Sequence, residues 1–418
     1  MMSIINELLD PIPLPDMVQV EQSFDVPIVQ DVAKEVQRVI QKRDVLQRIK
    51  HGDRIAIAVG SRGVAELPVL TRETVSAIKN AGGAPFIVPA MGSHGGATGD
   101  GQKEVLAELG VTEDSIGAPI VASMDVVKVG EIHDGMSIYT DKNAYEADHI
   151  IVINRIKPHT AFRGEVESGL TKMVTIGLGK QRGAEAAHIL GFGHMAEHVP
   201  EMARIVCQNA PVLFGLGTIE NAYDEVAKIV AIPAARFADE EPELLLEAKD
   251  MMPKLFIDPI DVLIVDEIGK DISGDGMDPN ITGRFGTPYA EGGANAIKVA
   301  VLRLTYKTSG NANGIGLADV TTRAVFEQTK LEKGYANALT STVCEVVKFP
   351  MFMESEALAV KAAIKTCHNP NFDQARVVRI KNTLDIKEIQ VSKSLIPEVE
   401  KHSQLRVLSN PEPIALQV

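Results

Sequence analysis

The sequence predicts an α/β protein of two lobes with mainly parallel sheets and an active-site cleft between the lobes. Three observations lead there. Short apolar runs alternate with longer amphipathic stretches, the rhythm of strands joined by crossover helices. At 418 residues the chain exceeds one ordinary core, at roughly 150 residues per domain. The rhythm also breaks and restarts at a proline-bounded apolar run, "PIDVLIVDEIG", from residue 259. The expected domains are therefore 1–254, carrying the chemistry, and 255–418, closing the cleft.

Taken in order, the opening "MMSIINELLDPIPLPD" carries acids and prolines without a basic start or a long apolar centre, so it does not read as a signal peptide. "RIAIAV" (54–59) reads as a strand, "VLTRETVSAIKNAGG" as a helix stopped by glycine, "PFIVPAM" (85–91) as a strand and "QKEVLAELG" as a helix. "HIIVI" (149–153) and "PVLFGLG" (211–217) continue the strands, the latter after a helical "PEMARIVCQNA". "EPELLLEAKDMMPKL" closes the first lobe as a helix. In the second lobe "GGANAIKVAVLRLT", "VTTRAVFEQTKLEKG" and "ESEALAVKAAIKTC" read as helices, and the tail pieces "ARVVRIKN", "IKEIQVS" and "LRVLS" as strands.

Composition narrows the function. With 45% hydrophobic residues the chain can bury a large core, and a net charge of −14 disfavours nucleic acid or an anionic membrane as partner. Cys207, Cys344 and Cys367 form no C-x-x-C, which argues against a disulfide framework or thiolate metal site and fits a reducing cytoplasm. No apolar stretch approaches the roughly 20 residues that span a bilayer. A small molecule is the expected partner.

In an open parallel sheet, ligands gather beyond the carboxyl ends of the strands. After "RIAIAV" comes "GSRG" with Ser61 and Arg62; after "PFIVPAM" comes "GSHGGAT" with Gly92 and His94; after "HIIVI" comes "NRIKPHTAFRGEVESGLTKMVTIGLGK", with His159, Arg163, Glu165, Glu167 and Lys172. Each loop alone is more often a tight turn with solvated side chains. Three in register place two imidazoles and a guanidinium on one rim. An imidazole pair suits general acid–base chemistry near pH 7, and Arg62 or Arg163 could hold a carboxylate bidentately. A small hydroxy or keto acid site is the reading.

These residues resemble a known family. "GSHGGAT" fits G-x-H-x-x-x-T, and "KPHTAFRGEVESGLTK" is similar to the P-H…S-G-x-x-K stretch of the nickel-pincer lactate racemases. The resemblance implies that His94 and His159 are the catalytic pair, and that Lys172 tethers a nickel pyridinium-3,5-bisthiocarboxylic acid mononucleotide. It implies that His188, 16 residues after Lys172, completes the nickel coordination. Two sulfurs and a ring carbon of such a group leave one position of a square-planar Ni(II) for a single imidazole. Ser61, Arg62 and Gly92 would lie beside the cofactor, with Arg62 and Arg163 near substrate and cofactor-synthesis proteins as partners. The chain departs from the family in lacking the paired acids and the proline that flank its arginine, and in a longer loop between His159 and Lys172. The implied activity is racemisation or epimerisation of a 2-hydroxy acid, lactate-like or larger.

Three other features compete. "HMAEH" matches H-x-x-E-H, in which His194 and His198 would bind zinc and Glu197 act as base of a metallopeptidase; a short helix start with exposed histidines is the commoner meaning. "DISGDGMDPN" (271–280) and "TSGNANGIGLAD" (308–319) follow second-lobe runs and could offer Asp275, Asn280 or Arg284 to the substrate. A protein that binds a nucleotide or hydroxy acid without turning it over would need the glycine-rich strand ends but not the histidine pair.

Overall fold

A computed structural model describes residues 4–61, 63–132 and 135–417. It is a mixed α/β structure with mainly parallel sheets, as the alternation of runs requires. Contacts divide the chain into two compact units, Val26–Met252 and a second that joins residues up to Asp25 to Pro253–Val418. The first 25 residues thus belong with the later part of the chain and not, as expected, with residues 26–254. The cause is strand β1 (Asp16–Gln22), for which the sequence carries no clear signal and which pairs antiparallel with Glu388–Ser392 and Leu405–Val407.

The unit Val26–Met252 contains β2 (Arg54–Val59), β3 (Ala84–Pro89), the hairpin β4 (Val126–Ile132) and β5 (Met136–Asp141), then β6 (His149–Arg155), β7 (Val212–Glu220) and β8 (Val226–Pro233). Its sheet runs β3-β2-β6-β7-β8, parallel except for β8. Strands covered by helices on both faces read as unbroken apolar runs. Ile55, Ile57 and Val59 of β2 and Ile151 and Ile153 of β6 are accordingly buried, packed with Leu70 and Ile78 of the helix Leu67–Asn80. That helix ends where expected, before Gly82, whose φ of +90° suits glycine. The order β3-β2-β6 sets three consecutive parallel strand ends side by side, so the loops after Val59, Pro89 and Arg155 leave the same edge.

The second unit adds β9 (Ile260–Ile268), β10 (Ala296–Leu304), β11 (Val320–Thr322), β12 (Met351–Met353), β13 (Val377–Ile380), β14 (Glu388–Ser392) and β15 (Leu405–Val407), in the order β12-β11-β10-β9-β13-β14-β1-β15. Two expected helices are corrected. The run 292–305 holds a strand, because Val299–Leu302 are buried on both faces of a parallel sheet and such a run carries no period to tell it from a buried helix. Residues 320–334 begin with β11 before two short helices, Arg323–Gln328 and the start of Leu331–Ser341. The helix Glu356–Thr366 forms as read, capped by Ser355, whose hydroxyl accepts the Leu358 N–H. Among the described residues no helix is long and apolar enough to cross a membrane.

Candidate functional site

The three strand-end loops build one rim of the unit Val26–Met252. After β3 the chain turns at Gly92, whose φ is +57°. The Gly92 N–H donates to the Gly177 carbonyl, and a β-carbon at 92 would lie 3.5 Å from the Ala184 side chain. This glycine therefore lets the His94 loop pack on the helix Lys180–His188, and its N–H is engaged there and not by a ligand. His94 is exposed, and its Nδ1 lies 2.7 Å from the Ser61 hydroxyl, so the β2 loop orients the imidazole of the β3 loop. Ser61, expected beside a cofactor, is in this structure the partner of His94. Arg62 lies outside the described residues.

The floor of this loop is a buried polar network that sequence reasoning misses. Lys180 is fully buried with φ +54°, and its Nζ donates to the Pro89 carbonyl and to Gln102 Oε1 (2.9 Å) and lies 3.3 Å from Asp141 Oδ2. Gln102 Nε2 passes the contact on to the carbonyls of Gly92 (3.0 Å) and His94 (3.3 Å). Burial pulls the Lys180 ammonium down, opposed by Asp141; burial pushes the Asp141 carboxyl up, opposed by Lys180.

The loop after β6 is closed by paired backbone bonds between Lys157 and Ser168. Its interior is organised by Glu167, whose buried carboxylate accepts the His159 N–H (2.7 Å), the Gly164 N–H and bonds from Arg163 and Lys249. Arg163 also donates to the His159 carbonyl (2.6 Å), so it braces the loop rather than standing open as the expected carboxylate clamp. Glu165 is exposed. The result is a fixed His159, packed at 4.6 Å between ring centroids on Phe162 and at 5.8 Å on Phe192.

His159 Nε2 lies 2.6 Å from Lys172 Nζ, and His159 Nδ1 accepts the Ala161 N–H at 3.1 Å. Burial holds the His159 imidazole well below the ordinary range, and the positive neighbours Lys172, His188, Lys157 and Arg163 add to this. Lys172 ends the turn Leu170–Lys172, which runs on into a π-helical stretch, Met173–Gly177, a backbone irregularity that recurs at functional sites. The turn is held from behind by Glu241, which accepts the N–H (2.9 Å) and hydroxyl of Thr171. Burial pushes the Glu241 carboxyl up to about 7, against the hydrogen bonds from Thr171 and Leu170. A β-carbon at Gly169 would sit 1.9 Å from Glu241 Oε1, so this approach requires glycine.

His188 ends its helix facing the same cluster, edge-on to Phe192 at 5.4 Å. Its Nδ1 donates to the Ala184 carbonyl at 2.6 Å, which fixes the neutral tautomer with the lone pair on Nε2. Burial also lowers the His188 imidazole, which favours its neutral form.

Two expected substrate residues lie in the other unit. Asn280 is engaged with Asp278 Oδ1 through both its N–H and its side chain (2.9 Å each). Arg284 donates to the Ala296 and Ile297 carbonyls and to Asp319 (2.8 Å), at the amino ends of β10 and β11. The expectation that Arg284 faces substrate rested on carboxyl strand ends, and the guanidinium lies at the opposite edge. The loops after β9 and β10 do meet: Asn313 Nδ2 donates to the Gly274 carbonyl at 2.9 Å, and Gly314 approaches the Asp275 carbonyl so closely that a β-carbon would be 1.6 Å from it. In "HMAEH", His194 and His198 stack at 5.3 Å, but the helix Met195–Asn209 is not short and His198 is buried, against the expected short start with exposed histidines. Among the described residues no three His, Cys, Asp or Glu side chains gather as a metal site. A cavity of about 670 Å³ behind Thr171 is lined by Glu165, Cys207 and Phe237, but by none of His94, His159, Lys172 and His188.

Residues 8–199 match the family model of the lactate racemase N-terminal domain. The family read from the sequence is thus the one matched, over a segment that holds His94, His159, Lys172 and His188. No curated protein matches the chain. Among solved structures, the lactate racemase apoprotein from Thermoanaerobacterium thermosaccharolyticum is similar at 15% identity, covering 88% of this chain and 98% of its own, with a TM-score of 0.49. A protein from Thermotoga maritima is similar at 13% identity, covering 76% of this chain and 82% of its own, with a TM-score of 0.48.

The geometry suits the group that lactate racemases imply. A single oriented imidazole at His188 suits a metal whose other ligands come from an organic group, and the positive side chains of Lys157 and Lys172 near His159 suit an anionic group. The residues fit.

Proposed function

We propose that this protein is a lactate racemase-like isomerase that inverts the carbinol carbon of a 2-hydroxy acid, with Lys172 and His188 holding a nickel-pincer nucleotide. The observation that carries this reading is the cluster of His159, Lys172 and His188, in which one imidazole is hydrogen-bonded to the lysine amine and the other presents a free Nε2. When bound, the group would supply a hydride acceptor beside the substrate carbon. His159, neutral at pH 7, is the base that takes the hydroxyl proton from one configuration of the substrate. His94, held by Ser61, serves the other, and one base for each enantiomer is what a racemase requires. The positive side chain of Lys157 near His159 orients the substrate carboxylate, and Phe162 and Phe192 keep water from that side of the ring.

The test is intact mass and metal analysis of protein produced together with cofactor-synthesis proteins, followed by polarimetry on lactate and larger 2-hydroxy acids. A mass increment, about one nickel per chain and loss of optical rotation are expected. Protein that gains neither mass nor nickel under those conditions, and racemises no 2-hydroxy acid, refutes the reading.

A further inference from the structure

The cavity behind Thr171 is complete within the unit Val26–Met252, since every residue around it lies between Arg43 and Pro242. At about 670 Å³ it far exceeds the roughly 30 Å³ share of one water and falls in the range of small-molecule sites. Its wall is largely apolar. Val166 from the His159 loop, Ala203 from the helix Met195–Asn209, Leu213 of β7 and Phe237 at the start of the helix Phe237–Met251 are all buried. Two polar groups of the wall carry no charge: the Thr171 hydroxyl is taken by Glu241, and burial pushes the Cys207 thiol up to about 12, so it is not ionised at neutral pH.

The mouth differs. Arg48 and Arg204 stand there as exposed guanidiniums, and Asp44 and Glu165 as exposed carboxylates. Arg43 is present too, but it is paired with Glu240 at 2.7 Å. Among the described residues none of Arg48, Arg204, Asp44 and Glu165 closes an ion pair, and the Arg204 guanidinium donates to Gln208 Oε1 at 3.3 Å. Exposed ions are left unpaired in water at little cost, so these charges alone would carry nothing. Their meaning comes from their place, around the opening of an apolar cavity with both signs present. A fatty acid would satisfy the guanidiniums but bring its carboxylate up against Asp44 and Glu165. An alkyl amine would meet the reverse conflict. A molecule with both charges on one carbon and an apolar side chain meets neither.

We propose that this cavity binds a free α-amino acid with a large apolar side chain, its carboxylate held by Arg48 and Arg204, its ammonium facing Asp44 and Glu165, and its side chain packed on Phe237. A guanidinium fork matches a carboxylate, and one aromatic ring packs well on another. The site is separate from the cluster of His159, Lys172 and His188, none of which lines it, and the proposal does not rest on the reading of that cluster. Its occupant nevertheless touches the supports of that cluster from behind, because Val166 and Thr171 directly precede Glu167 and Lys172.

The experiment is isothermal titration calorimetry of the full-length protein with L-phenylalanine, L-alanine, 3-phenylpropionate and 2-phenylethylamine. L-phenylalanine is expected to bind at one site with a Kd below about 1 mM, and the other three, which lack the apolar side chain, the ammonium or the carboxylate, at least about tenfold more weakly. Hydrogen exchange should slow in segments 200–208 and 234–238 when L-phenylalanine is bound. Ala238→Trp, at an exposed position on the cavity wall, should fill the opening and abolish binding with the urea midpoint unchanged. The double variant Arg48→Gln and Arg204→Gln should weaken L-phenylalanine at least about tenfold without weakening 2-phenylethylamine. If Ala238→Trp lowers the urea midpoint, the double variant alone decides. No binding of L-phenylalanine at about 1 mM overturns the proposal, as does equal binding of 3-phenylpropionate or 2-phenylethylamine, or a Kd for L-phenylalanine unchanged in the double variant.

Discussion

Glu241 offers the most direct check on the architecture behind Lys172. Its carboxyl is buried, is held near pKa 7 rather than 4.5, and anchors the turn through Thr171. A carboxyl whose folded pKa is raised contributes stability fully present below its unfolded pKa, and that stability is lost as pH rises through the folded value. From pH 4.5 to 7 the unfolded chain ionises this group while the folded protein does not. A shift of roughly 2.5 units corresponds to about 3 kcal/mol. Glu241→Gln keeps a carbonyl oxygen for the Thr171 N–H and cannot ionise. The unfolding free energy of the variant relative to wild type, from urea titrations at half-unit intervals, should therefore rise by about 3 kcal/mol between pH 4.5 and 7 and level off above. A difference that stays constant within about 0.5 kcal/mol over that window would refute the burial argument for Glu241.

The other expectations concern the site. Replacing Lys172 by Ala should abolish the mass increment in protein made with cofactor-synthesis proteins, whereas His188→Ala should leave the increment possible and release nickel on dialysis, because in the proposed function one residue would tether and the other coordinate. His94→Ala and His159→Ala should each lower racemisation by at least about 100-fold, the usual scale of a lost acid–base group; activity within a fewfold of wild type for both would refute their assignment. His194→Ala and His198→Ala should leave metal content unchanged, and loss of zinc from either would favour the peptidase reading. Lys180→Met leaves Asp141 buried without its cation and should destabilise the protein by about 3 kcal/mol, seen as a lower urea midpoint.

The parallel strands ending the rim were legible because doubly covered strands announce themselves as "RIAIAV" and "HIIVI", and the residues after each must then form a strand-end loop before the next helix begins. The same property misleads at 292–305, where the buried strand β10 carries no alternation that would separate it from a helix. Strand β1 escapes because its partners Glu388–Ser392 and Leu405–Val407 lie at the far end of the chain, and antiparallel pairing across such a separation leaves no local mark. His94, His159, Lys172 and His188 could be named through a family spacing. The residues that hold them could not: Glu241 meets Thr171 across 70 residues and Lys180 meets Gln102 across 78. The one local hint was Lys180 itself, a lysine closing "TIGLGK" at a glycine-rich helix start, where a buried cation needs a partner from elsewhere. Arg284 shows the converse error, since a strand-end rule applied to sequence cannot tell which edge a long loop returns to.

The two loops that carry His94 and His159 are each fixed by a buried charged group with several acceptors or donors, and this bears on why the site tolerates so little freedom. Lys180 reaches the β3 strand end at Pro89 and, through Gln102, the carbonyls of Gly92 and His94; Glu167 gathers two backbone N–H groups and two cations around His159. Buried ions are destabilising when left incomplete and rigid when satisfied, because each bond lost strands a charge away from water. Apolar packing alone would have allowed these loops to slide by fractions of an ångström with little penalty. Proton transfer to a carbon-bound hydroxyl needs the base within hydrogen-bond reach, so such sliding matters. The cost of burying Lys180 and Glu167 is thus offset by fixed position, and the two imidazoles inherit that position through backbone atoms, His94 by its carbonyl and His159 by its N–H.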